Sequence, residues 1–189
     1  DCVKFGVLHV FDSPPDLVVS GINPGLNLGC NVFYSGTVAA ALEGAMYGIP
    51  SVAFSCRPEC AAQIDRMAAQ ARRALNMVLR SAPGRALAWN VNLPTLTDGD
   101  PRIVFTGHWH RAFRERYLPE EVDGAPGYRL DLPGEQQVPP DGPCDVIAVR
   151  EGRISVTPLR PSLTDQDSLR ELAPPHLDGE HLSTEENDQ

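Results

Sequence analysis

Positive charge, aromatic rings and long apolar runs are all scarce in this chain. Sixteen Lys and Arg face 25 Asp and Glu, a formal net charge of −9 over 189 residues. A surface built for a nucleic-acid polymer needs clustered cations, so that partner is not expected. No apolar stretch reaches the ~20 residues of a bilayer-spanning helix, so no membrane partner is expected either. Cysteine is sparse and odd in number: Cys2, Cys30, Cys56, Cys60 and Cys144. Without a dense framework these read as reduced thiols of a cytoplasmic protein. Cys56 and Cys60 stand four apart, but no second Cys or His pair completes a zinc spacing. Absent too is the G-x-G-x-x-G turn, with an acidic residue after the second strand, that a dinucleotide-binding fold uses. That third reading is the weakest.

Length and a hydrophobic content of 42% are those of one globular domain with a sizeable core. Charge is uneven along it. From Asp165 to Gln189 there are eight acidic residues and one basic, giving −7 and leaving −2 for Asp1–Thr164. The reading is an α/β domain over 1–164 and an acidic, disordered tail over 165–189.

The stretch Asp16–Ser55 organises the rest. Leu17–Val19 is a short apolar run that predicts a buried strand, broken at Ser20-Gly21 by a loop rich in Asn and Gly. Ser35-Gly36-Thr37 opens an apolar helix that stops near Gly48-Ile49-Pro50, and Ser51–Phe54 is the next strand. Strand, loop, helix, strand is a right-handed βαβ unit. Ser35 is a good N-cap residue, and the helix tip carries free backbone N–H groups and partial positive charge. Such a tip, beyond the carboxyl end of a buried strand, suits a phosphate. Asn23 and Asn27 add amides able to coordinate a cation or donate to an oxyanion. The same Asn and Gly residues also make ordinary turns.

These residues resemble the SurE family of survival proteins. The pattern SGIN-x-G-x-N-x-G stands at Ser20–Gly29, and YSGTVAAA-x-EG-x-x-x-G-x-P-S at Tyr34–Ser51. The likeness continues through Trp89–Pro94 and Ile147–Leu159, so it covers Asp1 to about Thr164. It implies a three-layer αβα, Rossmann-like sandwich with a protruding β-hairpin arm, here over 102–145, used in a homodimer or homotetramer. It implies a metal-dependent phosphomonoesterase, a 5′-nucleotidase on nucleoside monophosphates with possible 3′-nucleotidase and exopolyphosphatase activity. Asn23 matches a ligand of the divalent cation, Mg or Mn. Asn23 and Asn27 match catalytic positions, and Asn27, Ser35, Gly36 and Thr37 match those that hold phosphate. A hard cation with oxygen ligands polarises a phosphoryl oxygen and activates water, and the helix tip stabilises the oxygens' charge. The family pattern opens with a strand ending in Asn-Asp-Asp-Gly, followed by a serine loop. Neither precedes Asp1, so the expectation is an N-terminally truncated chain without the first strands and metal-binding loop. The alternative function is therefore a catalytically inactive fragment that keeps the phosphate cradle and the oligomerisation arm.

Elsewhere, Asp1–Leu8 reads as the end of a helix and Arg57–Cys60 as a loop. Ala61–Arg80 is an amphipathic helix with a stripe of Ile64, Met67, Ala68, Ala71, Leu75, Val78 and Leu79. Ala86–Leu93 and Arg102–Thr106 are strand candidates, and Asn90 and Asn92 alternate on the first. From Pro94 onward lie 12 of the 18 prolines, so long loops are expected. His108 and His110 would share one strand face, a weak metal signal without a third ligand. Trp109, Phe113 and Tyr117 suit a subunit interface, with Tyr128–Leu132 as the arm's return strand. Asp145–Arg150 and Ile154–Thr157 read as a hairpin around Glu151-Gly152, and Asp167–Leu172 as a short helix.

Overall fold

A computed structural model describes residues 1–81, 88–97, 99–110, 115–131 and 144–172. At its centre is a strand with no exposed residue, β2 (Ser51–Cys56). It pairs in parallel with β1 (Val18–Pro24) on one side and β3 (Ala88–Leu93) on the other. Beyond β3 the sheet turns mixed. β7 (Ile154–Leu159) runs antiparallel to β3, and the short edge strand β4 (Ile103–Phe105) runs parallel to β7, giving the order β1-β2-β3-β7-β4.

The two faces of β2 and β3 explain the layers. Side chains alternate across a strand. Val52, Phe54, Cys56, Trp89, Val91 and Leu93 meet α3 (Ile64–Ser81) through Met67, Ala71, Ala74 and Val78. Ala53 and Ala88 face the other way, against Val38, Ala41 and Ala45 of α2 (Gly36–Met46). Helix, sheet, helix is the expected αβα sandwich. On the α2 side the residues are small because the helix lies close: a Cβ on Gly44 would stand 2.4 Å from Ser51 Oγ and 2.8 Å from Val18 Cγ2. The buried stripe of α3 is narrower than its sequence suggests. Ile64 and Leu79 are about half exposed, while Gln70 is buried because its amide donates to Asp100 Oδ1 at 2.8 Å.

Several local expectations need correction. The first strand does not stop at Ser20; it runs through Gly21 to Pro24. Arg57–Cys60 is not open loop but passes into a 3₁₀ helix over Pro58–Gln63. Asp145–Arg150 is not a strand but a helix, α4. β7 already has β3 and β4 on its two sides, so no edge is free for a hairpin partner. The Asp145 carboxylate instead accepts from the Val146 amide at the helix start. Trp109 is no interface residue: it is buried with Leu28, Val146 and Val149 in a small core of its own. β4 ends at Phe105, so His108 and His110 do not share a strand face.

Other expectations match. A short helix α1 (Cys2–Phe5) continues as one π turn over Gly6–Val10. β5 (Arg116–Val122) and β6 (Ala125–Asp131) form a separate two-stranded sheet, the expected hairpin arm. α5 (Gln166–Leu172) is the expected short helix, and it corrects the reading of the tail as disordered from 165: Asp165 accepts from the Asp167 and Ser168 amides at its start. Phe113, the turn after Ser81 and the tail from 173 onward lie outside the described residues. Among the described residues, no helix is long and apolar enough to cross a membrane.

Candidate functional site

Three features lie at the carboxyl end of the parallel strands. The first is a break in β1. Its register against β2 shifts between Ser20 and Asn23, so the strand bends as it leaves the ladder. Gly21 makes the bend possible: its φ is +105°, and a Cβ there would lie 2.2 Å from the Phe54 carbonyl oxygen. Asn23, just past the bend, is half-buried. Its Nδ2 donates to the Gly25 carbonyl at 2.6 Å, which leaves Oδ1 with no partner among the described residues.

The second feature is the loop that follows, pinned at Asn27. This residue is buried, and four hydrogen bonds tie it to the strand ends. Its backbone N donates to Asn92 Oδ1 at 2.8 Å. Its carbonyl accepts from Asn90 Nδ2 at 2.7 Å and Asn92 Nδ2 at 3.0 Å. Its own Nδ2 donates to Ser55 Oγ at 2.7 Å. Ser55, Asn90 and Asn92 are buried neighbours on the α2 side of the sheet, paired Ala53–Asn90 and Ser55–Asn92 across β2 and β3. The polar surface continues onto β7, where Ser155 and Thr157 oppose Asn92 and Asn90. Thr106 Oγ1 bridges those two hydroxyls at 2.7 and 2.9 Å. Burying polar groups is costly unless they are partnered; of the floor's described side-chain atoms, Asn90 Oδ1 is buried without a partner. The sheet face beyond the end of α2 is thus a hydrogen-bonding floor on which the loop is mounted.

The third feature is the tip of α2, reached through a 3₁₀ helix at Gly29–Tyr34. Ser35 caps it, its Oγ accepting from Val38 N at 3.1 Å. The N–H groups of Gly36 and Thr37 have no partner among the described residues, as the first amides of a helix lack one within it. Gly36 is exposed, and nothing lies within 4 Å of where its Cβ would be. An anion can therefore reach these amides, at the positive end of the helix dipole.

A fourth contact secures the loop from behind, and sequence reasoning missed it. Gly107 bridges Cys144, which brings His108 beside the start of α4. Asp145 is fully buried there. Its Oδ2 accepts from Gly29 N at 2.7 Å and lies 2.8 Å from His108 Nδ1. Its Oδ1 accepts from Trp109 N at 3.0 Å and Val146 N at 2.8 Å. The separation of 37 residues between His108 and Asp145 leaves no local signal. The Asn-x-Asn alternation at Asn90 and Asn92 is the one visible hint of the floor.

Of the expected site residues, Asn27 is held on the α2 side of the sheet by Ser55, Asn90 and Asn92, Ser35–Thr37 open α2, and Asn23 stands at the end of β1, bonded to Gly25; the 3₁₀ helix joins the two segments. Burial pushes the Cys56 thiol up, with Cys60 and Glu59 beside it adding to the effect, so it is a poor nucleophile. Among the described residues, no group of three or more His, Cys, Asp or Glu could hold a metal ion.

Comparison with known proteins gives this arrangement a family. The family model described as survival protein SurE matches residues 1–115. A protein named 5′-nucleotidase SurE from Rhodopirellula baltica is 39% identical over 174 residues, covering 91% of this chain and 69% of the relative. One of the same name from Caldanaerobacter subterraneus is 34% identical over 173 residues, covering 92% and 68%. A crystal structure of the SurE protein from Aquifex aeolicus superposes with a TM-score of 0.74 at 34% identity, over 91% of this chain and 70% of that one. With its sheet order, hairpin arm and strand-end loop already in view, this chain belongs to the SurE family of survival proteins, an enzyme family whose curated members are named 5′-nucleotidases.

Proposed function

We propose that this chain carries the phosphate-holding part of a metal-dependent phosphomonoesterase that acts on nucleoside monophosphates. The observation that supports it best is the pair of unpartnered amides, Gly36 and Thr37, on an exposed helix tip that follows the pinned Asn23–Asn27 loop. In this reading the two N–H groups and the Ser35 hydroxyl receive the phosphoryl oxygens. Preorganised donors of this kind stabilise charge that builds on those oxygens as the ester bond breaks. Asn27 holds the loop in place through the floor. Asn23 Oδ1 is the oxygen offered to a cation.

A divalent ion such as Mg or Mn needs more than that. Hard dications take six or more oxygens, usually including carboxylates. The described residues offer one amide oxygen and no cluster of acids, and Asp145 has both oxygens engaged. They do not fit a complete site. This mismatch favours a second reading, a catalytically inactive unit that keeps the cradle and the arm. Phosphate release from AMP with Mn²⁺, set against the same assay in EDTA, separates the two. The first reading expects metal-dependent release that falls at least about tenfold in Asn23→Ala, since losing even an outer-shell partner of a metal typically costs about 10–100-fold. Equal background in Mn²⁺ and EDTA favours the second. Metal-dependent release unaffected by Asn23→Ala overturns the assignment of Asn23.

The exposed hairpin supports a further part of the same reading. Tyr117 and Tyr128 are 66% and 71% exposed on β5 and β6, and the hairpin joins no strand of the main sheet. Its assigned role is contact with a second copy, in a dimer or tetramer.

A further inference from the structure

Among the described residues, Asp145 is the only buried carboxylate. Burial of such a group is costly unless its oxygens are satisfied. Three of its partners come from residues close to it in the fold: Trp109 N, Val146 N and His108 Nδ1. The fourth does not. Gly29 N, 116 residues away in sequence, donates to Oδ2 at 2.7 Å. The loop changes anchors at this point. Asn27 is held by β2 and β3 through Ser55, Asn90 and Asn92, whereas Leu28 packs with Trp109 and Val146 and Gly29 is held by Asp145. Gly29 then turns through a φ of +53° and opens the 3₁₀ helix Gly29–Tyr34. Six residues of that helix make a strut about 12 Å long. Its last turn is closed onto Ser35, whose N donates to the Val32 carbonyl at 3.4 Å. One end of the strut is therefore fixed by Asp145, and the other carries the cap of α2.

We propose that Asp145 is a positioning residue for the phosphate site. Through the Gly29 amide it sets where the strut begins, and so how Ser35 and the first turn of α2 stand relative to Asn23 and Asn27. The proposal rests on the phosphate reading of the helix tip. The body of α2 has its own seat, Val38, Ala41 and Ala45 against Ala53 and Ala88. Release of Gly29 therefore displaces the cap and leaves the helix on the sheet. A misaligned hydrogen bond to a charged group costs binding about tenfold or more.

Asp145→Asn isolates the bond. An amide has one acceptor oxygen. Set in place of Oδ1, it keeps Trp109 and Val146, and its NH₂ then meets the Gly29 N–H donor to donor. The reverse setting gives up two backbone bonds to keep one, while His108 Nδ1 serves either setting as donor or acceptor. The full chain and the variant are titrated with inorganic phosphate well below their melting transitions. Amide signals of Gly36 and Thr37 report binding, and hydrogen exchange is followed at Gly29 and Trp109. In the parent, both signals shift and phosphate slows exchange at Gly29 several-fold, because coupling between two sites is reciprocal. In Asp145→Asn, Gly29 exchanges early, Trp109 stays protected, and phosphate binds about tenfold or more weakly. A bond that only supported the fold would lower the melting temperature and change neither phosphate affinity nor the response of Gly29 to phosphate. Parental affinity in Asp145→Asn, or parent exchange at Gly29 indifferent to phosphate, overturns the proposal and leaves the cradle standing. If Asp145→Asn does not fold, the parent's Gly29 exchange decides alone. No shift at Gly36 or Thr37 in the parent overturns the cradle reading and this proposal with it.

Discussion

Gly21 is the residue on which the bend of β1 depends. With φ at +105° and the Phe54 carbonyl oxygen 2.2 Å from any Cβ, alanine fits neither the backbone nor the space. Gly21→Ala is expected to destabilise the fold by about 2 kcal/mol or more, read as a lower urea midpoint at unchanged slope. Asn92 is the second test. Its side chain accepts from the N–H of Asn27 and donates to its carbonyl, which Asn90 also holds, so Asn92→Ala leaves the buried Asn27 N–H unpaired at about 1–3 kcal/mol. Early amide exchange at Asn27 would show the loop released; protection equal to the parent's would refute its role as a clamp. The features legible in sequence at this scale are local ones. Ser35 as helix cap needs only its three following residues, and it caps Val38 as expected. The partners of Asn27 lie 28 to 65 residues away, and those of Asp145 up to 116. No window of neighbouring residues contains that information.

Secondary-structure elements were legible where periodicity and punctuation agreed. The segment from Ser35 to Gly48 has a capping serine, a run of small apolar residues and a terminal glycine, and it is a helix over Gly36–Met46. The segment Asp145–Arg150 misleads because Val, Ile and Val favour strands, yet strand preference depends on an available neighbour, and β7 has none to spare. The Ala61–Arg80 pattern gives the helix but not its exact buried stripe, because Gln70 gains a partner from Asp100 that only the fold supplies. One element carries a pH prediction. At the start of α5, Asp165 accepts from the Ser168 hydroxyl, the Ser168 amide and the Asp167 amide. Those bonds, the hydroxyl's first, hold its carboxyl below the usual aspartate range. A lowered folded pKa means its support for α5 is complete above the unfolded value and disappears as pH falls through the folded one. Helical ¹³Cα shifts of Gln166–Leu172 should therefore persist at neutral pH and fade only below the ordinary aspartate range. Fading above that range would contradict the cap.

For the whole molecule, the polar floor is the feature that ties fold to chemistry. Ser55, Asn90, Asn92, Ser155, Thr157 and Thr106 give the sheet a buried hydrogen-bonding surface beyond α2, and the loop is held against it through Asn27. The hairpin arm is separable from this. Replacing Tyr117 and Tyr128 together with Ser should lower the sedimentation coefficient to that of a single copy and leave the melting transition of the main sheet in place; an unchanged coefficient would remove the arm from assembly. The central claim is that the bend after β1 and the tip of α2 together hold a phosphoryl group. A crystal of this chain grown with Mn²⁺ and inorganic phosphate, with the metal placed by its anomalous signal, tests it most directly. The account predicts phosphate oxygens within hydrogen-bonding distance of the Gly36 and Thr37 amides and on the same side of the sheet as Asn23 Oδ1. Phosphate bound elsewhere, with those two amides in solvent, would contradict it.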